Sequence, residues 1–207
     1  MVKVKICGIT NLEDALAAVN AGADALGFNF YRRSSRFIEP EAARRIVDQL
    51  PGRVLTVGVF VNEGEPDAVA RIADRARVAA AQLHGDESPH YCRALKDHLV
   101  IKALRVGPEF EPESAAEYET DAILLDAFSG QARGGTGNVI DWRLARRTRE
   151  LVPKLFLAGG LSAENVAEAI RAVEPYGVDA CSHLECAPGR KDASRVSAFI
   201  AAARVKP

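Results

Sequence analysis

The sequence has little net charge and no long apolar run. Its 27 Lys and Arg residues nearly balance its 28 Asp and Glu residues, which leaves a formal net charge of −1. This balance gives no broad basic surface for nucleic acid or for an anionic membrane. No apolar run approaches the roughly 20 residues of a membrane-spanning helix, and charged residues interrupt the first strand where a signal peptide would be apolar. We therefore expect a cytoplasmic protein that binds neither nucleic acid nor membranes.

The chain also lacks a paired cysteine motif. Its four cysteines are Cys7, Cys92, Cys181 and Cys186, and none of their spacings forms a CxxC pair. A structural zinc site is therefore not expected, and cytoplasmic thiols stay reduced. With disulfides and a zinc site not expected, the cysteines are predicted to be either packing residues or reactive thiols.

A strand-then-helix pattern repeats eight times along the 207 residues. Each strand candidate recurs at the roughly 25–30 residue spacing of a barrel unit. The candidates are "VKVKIC", "ALGFNF", "VLTVGVF", "VAAAQL", "VIKALRV", "AILLDAF", "LFLAGG" and "GVDACS".

Helical periodicity fills the segments between these strands. Leu12, Ala15, Leu16 and Val19 fall on one helical face, and similar stripes follow. Ser88, Ser162, Pro40 and Pro66 stand at expected helix starts, whereas the segment "PESAAEYE" carries the weakest helical pattern. Alternating strands and helices imply parallel strands. We therefore predict an α/β fold, a single (β/α)8 TIM barrel with short loops that spans residues 1–207 as one catalytic domain.

Chemistry in such a barrel lies at the carboxyl ends of the strands. Cys7 ends the first strand and precedes Gly8, and a helix begins near Asn11. The dipole of that helix would favour a thiolate, which could serve as a base or as a nucleophile, although free cysteine is more often a small buried hydrophobe. Asp126 follows two leucines in strand six, where desolvation favours a protonated carboxylic acid. An Asp that caps a loop or pairs with an Arg is an equally good interpretation.

An anion site is predicted by the segment "LAGGLSAEN", which runs from strand seven through Gly159 and Gly160 toward a helix. Loops after strands seven and eight are the common phosphate site of this fold. The Gly-rich segment "RGGTG" at 133–137 is a flexible connection or a second contact loop. Arg36, in the loop after strand two, offers a planar fork for a carboxylate or is simply solvated.

Two further strand-end residues have competing interpretations. His84 could act beside a nucleophilic thiol, or with Asp86 and Glu87 as a metal ligand, although acids at a helix start are favoured for ordinary reasons. Lys102 could form a Schiff base or an interior ion pair.

The segments "KICGIT", "GVFVN", "QLHGDE", "LLDAF…GGTG…DW" and "LAGGLSAENV" resemble phosphoribosylanthranilate isomerases of tryptophan biosynthesis, in order along nearly the whole chain. The resemblance implies an enzyme without metal or organic cofactor that converts N-(5-phosphoribosyl)anthranilate to 1-(2-carboxyphenylamino)-1-deoxyribulose 5-phosphate by an Amadori rearrangement. The partner it implies is a small phosphorylated substrate, and the assembly is a monomer or a homodimer.

The same resemblance assigns roles to residues of this chain. Cys7 is the general base, Asp126 is the general acid, and Arg36 holds the anthranilate carboxylate. His84 and Asp179 line the pocket, while Gly159, Gly160, Ser182 and His183 surround the phosphate. The chain departs from the family after strand eight, where "CSHLECAPGRKD" places His183 at the position of a glycine. We expect a strained backbone there with the imidazole turned outward; the alternative is an imidazole that donates to the phosphate itself.

The alternatives come from other functional classes. A dual-substrate phosphosugar isomerase stays open. A histidine-pathway isomerase would have paired aspartates at strands one and six, and Cys7 at strand one argues against it. A non-catalytic phosphosugar-binding barrel is supported only by His183. An aldolase would use Lys102.

Overall fold

Eight parallel strands close into a barrel in the computed structural model, which describes residues 1–95, 97–127 and 140–205. Each strand pairs with the next along the chain, and β8 pairs with β1 to complete the barrel. The strands are β1 (Lys3–Ile6), β2 (Ala25–Asn29), β3 (Leu55–Phe60), β4 (Ala80–Leu83), β5 (Leu99–Val106), β6 (Ala122–Ala127), β7 (Leu155–Leu157) and β8 (Gly177–Ala180). The predicted (β/α)8 barrel and all eight strand candidates are confirmed, whereas the single-domain assignment of residues 1–207 stays a prediction.

Helices follow the strands in the described ranges. They are α1 (Leu12–Ala21), α2 (Pro40–Val47), α3 (Pro66–Ala76), α4 (Pro89–Arg93), α5 (Trp142–Leu151), α6 (Val166–Val173) and α7 (Ala193–Arg204). The Asn11 side chain caps α1, and Ser88 caps α4, in each case by accepting a backbone N–H.

Two helix predictions are corrected. The segment near "PESAAEYE" forms a 3₁₀ helix, Pro112–Glu117, because its apolar positions are too few to support a longer amphipathic helix. Ser162 is not the cap of α6, since that helix begins at Val166 after Asn165. The Asn165 side chain instead bridges the backbone of Gly160 and Ser162 and fixes the loop before the helix.

A short hairpin follows β8. A 3₁₀ turn, Ser182–Leu184, leads into β9 (Glu185–Ala187), which pairs antiparallel with β10 (Arg190–Lys191) before α7. The hairpin places Glu185 and Lys191 near the carboxyl end of the barrel.

The core has two parts. A large cluster fills the space between the strands and the surrounding helices. A smaller cluster comes from alternate strand residues, including Val57, Ile101, Leu124 and Phe156, and packs the interior of the barrel. Because Asp126 follows Leu124 by two residues, it shares the interior face of β6. The apolar layer therefore supports a polar layer toward the carboxyl ends of the strands.

Candidate active site

A cavity of about 490 Å³ opens at the carboxyl ends of the strands. It brings together most of the residues predicted from the sequence: Cys7, Arg36, His84, Asp126, Gly159, Gly160, Asp179 and Ser182. These eight residues lie on six of the eight strands or in the loops that follow them, and they meet around one space large enough for a small ligand.

Cys7 lies at the end of β1 above a buried cation. The Lys5 side chain is fully buried and its Nζ donates to Asp179 Oδ1 at 3.0 Å. Burial lowers the pKa of Lys5, but Asp179 and Cys7 raise it by more, so Lys5 stays an ammonium ion. Gly27 makes room for this arrangement, because a Cβ there would lie 2.7 Å from Cys7 Sγ and 3.2 Å from Lys5 Nζ.

The pKa of the Cys7 thiol lies well below its usual range. The largest cause is a hydrogen bond from the Cys181 thiol; burial opposes it, while the positive charges of Lys5 and Lys191 lower the pKa further. The pKa of Cys181 is raised, because its thiol donates to Cys7 and is partly withdrawn from solvent. Within the pair, the proton is therefore favoured on Cys181 and the negative charge on Cys7.

Asp126 is 6% exposed, and its setting is more polar than its leucine neighbours suggested. Its Oδ1 accepts from the Ala127 backbone N–H at 2.9 Å, and its Oδ2 lies 3.2 Å from His84 Nε2. The Gln82 amide nitrogen lies 2.9 Å from His84 Nδ1, so in this arrangement Nδ1 accepts and Nε2 carries the proton toward Asp126. The Asp126 carboxyl group and the His84 imidazole thus form one hydrogen-bonded pair next to the cavity.

Arg36 lines the cavity, but its guanidinium fork already faces a carboxylate. Nε and Nη2 donate to Glu185 at 2.7–3.2 Å, and Lys191 Nζ donates to the same carboxylate at 3.0 Å. Burial raises the pKa of Glu185, but Arg36 and Lys191 lower it by more, so the group is ionised. Two cations around one anion leave a net positive charge beside the cavity.

The loop after β7 uses glycines at two successive left-handed positions. Gly159 has φ +80° and Gly160 has φ +66°. A Cβ at Gly159 would lie 2.6 Å from the Ala127 backbone nitrogen, so only glycine fits. The other Gly-rich segment, "RGGTG" at 133–137, lies outside the described residues.

The strain expected at His183 is absent. His183 sits in the 3₁₀ turn with an exposed side chain, and it is not among the described residues with positive φ. The prediction of a left-handed backbone was wrong, because the 3₁₀ turn keeps the chain in the ordinary right-handed region. The preceding Ser182 lines the cavity instead.

Lys102 belongs to a buried ion pair on the outer side of the barrel. Its Nζ lies 2.7 Å from Glu87 Oε2 and also donates to the Gly85 carbonyl. Glu87 in turn accepts from the backbone N–H groups of Asn62 and Gly85. These contacts support the ion-pair interpretation of Lys102. They also occupy the Glu87 carboxylate, which argues against Glu87 as a metal ligand beside His84.

Sequence reasoning assigned no role at the site to three contributors. Cys181 and Lys191 act through contacts between β8 and the hairpin that no local pattern encodes. Gly27 did leave a signal, since a glycine inside a strand often marks close approach of another group.

The barrel, the thiolate beside a buried lysine and the carboxyl–imidazole pair define an enzyme of the (β/α)8 class with a site suited to acid–base chemistry. Within the described ranges, no helix has both the length and the apolar character to cross a bilayer.

A family model described as N-(5'phosphoribosyl)anthranilate (PRA) isomerase matches residues 4–202. The N-(5'-phosphoribosyl)anthranilate isomerase of Trichlorobacter lovleyi is 52% identical over 200 residues, 97% of each chain. A solved structure of the Thermotoga maritima enzyme has a TM-score of 0.92 at 47% identity and covers 99% of both chains. A further one, solved with reduced 1-(o-carboxyphenylamino)-1-deoxyribulose 5-phosphate, has a TM-score of 0.89 at 47% identity and 99% coverage of both chains. The chain belongs to the N-(5'-phosphoribosyl)anthranilate isomerase family.

Proposed function

We propose that this chain converts N-(5-phosphoribosyl)anthranilate to 1-(2-carboxyphenylamino)-1-deoxyribulose 5-phosphate, a step of tryptophan biosynthesis, with Cys7 as general base and Asp126 as general acid. The observation that carries the proposal is the pairing of the two groups around one cavity. Lys5 favours the Cys7 thiolate, as a base requires, while the Asp126 carboxyl group contacts His84 at the same cavity and is assigned the role of the acid. A general acid and a general base in one site must differ in protonation at the same pH, which requires two different pKa values.

The reaction delivers two protons, to the ribose ring oxygen and to C1, and removes two, from C2 and from the enol. Asp126 protonates the ribose ring oxygen, and the C1–O bond breaks as the anthranilate nitrogen forms an iminium with C1. Cys7 then removes the proton from C2, which gives an enolamine. Loss of the enol proton and protonation at C1 produce the ketone. The thiolate acts as a proton acceptor and forms no covalent bond to the sugar.

Arg36 and the loops after β7 and β8 are assigned to substrate binding. The net positive charge of the Arg36–Glu185–Lys191 cluster favours the anthranilate carboxylate. Gly159, Gly160 and Ser182 border the part of the cavity assigned to the phosphate, and His84 and Asp179 line the same cavity. His183, exposed as it is, has no direct role in this proposal.

Two wider assignments accompany this function. We place the reaction in the cytoplasm, where a thiol base stays reduced. A structural relative from Thermotoga maritima is described as dimeric, with 45% identity and a TM-score of 0.89, and we assign this chain to a monomer or a homodimer.

The test is turnover of N-(5-phosphoribosyl)anthranilate by the purified protein in the presence of a metal chelator. We expect loss of substrate fluorescence together with formation of the aminodeoxyribulose phosphate, at a rate that the chelator does not change. Absence of turnover would contradict the proposed function, and a rate abolished by the chelator would contradict the metal-free mechanism. Turnover of an aminoaldose phosphate from the histidine pathway would instead identify a dual-substrate enzyme.

A further inference from the structure

Cys7 and Cys181 occupy neighbouring positions on paired strands. In the β1–β8 ladder, Lys5 pairs with Asp179 and Ile6 pairs with Ala180. The Cys7 backbone N–H continues the ladder by donating to the Ala180 carbonyl at 2.9 Å. The next step of this register sets Cys7 beside Cys181. Paired strands lie about 4.8 Å apart, within the roughly 4.4–6.8 Å between Cα atoms that a disulfide requires.

The two thiol groups face the same cavity, where small molecules can reach them. Both residues have partly exposed side chains, and Cys181 Sγ also lies 3.8 Å from Glu185 Oε1. The other two cysteines are placed differently. Cys92 is buried at 2% exposure, and Cys186 is exposed on the hairpin with its Sγ directed to the backbone of Arg190.

A stepwise oxidation needs one thiolate that reacts with the oxidant first and a second thiol that reacts afterwards, and the two cysteines differ in this way. The Cys7 thiolate is the form that attacks a peroxide, and its neighbours Lys5 and Lys191 stabilise it. Cys181 keeps its proton while it donates to Cys7. Oxidation of Cys7 removes that acceptor, and Lys191 Nζ, 3.7 Å from Cys181 Sγ, then favours the second thiolate.

We propose that Cys7 and Cys181 form an oxidisable pair, which hydrogen peroxide converts into an intramolecular disulfide across the β1–β8 seam. In the first step the Cys7 thiolate attacks one peroxide oxygen, the O–O bond breaks, and the sulfenic acid and hydroxide form; this hydroxide takes the Cys181 proton and becomes water. In the second step the Cys181 thiolate attacks the Cys7 sulfur and the S–O bond breaks. The leaving hydroxide takes up from solvent the proton that the Cys7 thiol had released, which gives the second water. Two thiols and one peroxide thus give one disulfide and two waters.

The consequence for activity rests on the proposed role of Cys7 as base. A sulfur held in a disulfide cannot accept the C2 proton, so the oxidised enzyme is inactive and a dithiol reductant restores it. Cys181 also protects Cys7, because the disulfide forms before the sulfenic acid is oxidised further to the irreversible sulfinic acid.

The test treats the purified full-length protein with hydrogen peroxide and follows both mass and turnover. We expect the intact mass to fall by about 2 Da, which corresponds to two hydrogens lost in one disulfide. Proteolytic mapping without reductant should join the peptide of Cys7 to that of Cys181. Turnover should fall with the same time course and return after dithiothreitol. The mass measurement does not depend on turnover. It therefore shows whether the disulfide forms even if the protein has no isomerase activity.

Variants identify the second cysteine. In Cys181→Ser, peroxide should add oxygen at Cys7 in steps of about 16 Da, and dithiothreitol should restore little of that variant's own starting rate. Cys186→Ser is the matched control on the adjacent hairpin and should behave as the wild type. A disulfide through Cys186, no cross-link at all, or full recovery of oxidised Cys181→Ser would each overturn the proposal.

Discussion

Among single residues, Lys5 is the charged side chain that lowers the pKa of the Cys7 thiol most. Its ammonium group lies between the Asp179 carboxylate and the Cys7 thiolate, with no solvent contact of its own. Burial raises the pKa of Asp179 to about 7, with the nearby thiolate adding to the rise and Lys5 opposing it. Asp179 and Cys7 share one buried cation and repel each other. A substitution of Lys5 or of Asp179 must therefore change the pKa of the Cys7 thiol.

Opposite substitutions around Cys7 should therefore shift its pKa in opposite directions. Lys5→Met removes the cation and should raise the Cys7 pKa by about one unit or more, whereas Asp179→Asn removes a like charge and should lower it. The measurement is the rate of alkylation of the Cys7 peptide against pH, followed by mass spectrometry.

Lys3→Met is the matched control for this pair, because Lys3 lies on the same strand but pairs with Asp24 at the surface. Its alkylation midpoint should equal that of the wild type. A midpoint that Lys5→Met leaves unchanged would reject the electrostatic role of the buried lysine.

Two loop elements meet at the scale of secondary structure. The loop after β2 brings Arg36, and the β9–β10 hairpin brings Glu185 and Lys191, into one cluster with a side-chain exposure of 18% at Arg36 and 5% at Glu185. Arg36 thus has two tasks, since it holds the hairpin against the barrel and borders the cavity. The hairpin carboxylate fixes the guanidinium plane before any substrate arrives.

Arg36→Ala should raise KM more than about tenfold with a smaller effect on kcat, because a fixed cation is lost and Glu185 is left to repel the substrate carboxylate. Steady-state kinetics measure both constants. Arg32→Ala is the control, since Arg32 is an exposed neighbour that pairs with Glu39. A KM that stays within error in Arg36→Ala but rises in the control would move carboxylate recognition to Arg32.

The elements also show what the sequence could and could not predict. Strands such as "VLTVGVF" and "AILLDAF" are short β-rich runs with clear ends, so their positions and the site at their carboxyl ends were predictable. The hairpin was not, because β10 has two residues and depends on contacts with α1 and β8 such as the Lys191 N–H to Asp14 bond. The 3₁₀ turn at His183 escaped prediction for the same reason, since backbone geometry there follows tertiary contacts.

At the scale of the whole molecule, the two chain ends are joined near Asp24. Its carboxylate accepts from Lys3 Nζ, from the Val4 backbone and from Arg204 of the last helix, while Arg204 also donates to the Val2 carbonyl at 2.6 Å. These bonds connect β1, the start of β2 and α7, and thus close the barrel at the end opposite the site.

Asp24→Asn should lower the free energy of unfolding at pH 7 by about 1 kcal/mol, because two charged contacts are lost in a partly exposed position. Burial raises the pKa of Asp24, but the bonds from Val4, Lys3 and Arg204 lower it by more, to below 3.8. This stabilisation is therefore present above pH 3.8 and is lost as the pH falls through the folded-state pKa. Urea unfolding at pH 7 and in acid measures the difference.

Asp48→Asn serves as the control for the stability test, because Asp48 forms ion pairs with Arg44 and Arg77 at the surface. It should cost less than about 0.5 kcal/mol at pH 7. Two results would show that the ion pairs of Asp24 do not stabilise the fold. One is an Asp24→Asn variant as stable as the wild type at pH 7, and the other is a loss of unfolding free energy that is as large in acid as at pH 7.

The central claim is that Cys7 and Asp126 exchange protons with the substrate across one cavity. Turnover of N-(5-phosphoribosyl)anthranilate by Cys7→Ser and Asp126→Asn, measured beside binding of a reduced product analogue, tests it most directly. Each variant should lose about 100-fold or more in kcat, the usual contribution of a general acid or base, while the analogue still binds. A Cys7→Ser enzyme with near-native kcat would show that the thiol is a packing residue and would contradict the mechanism.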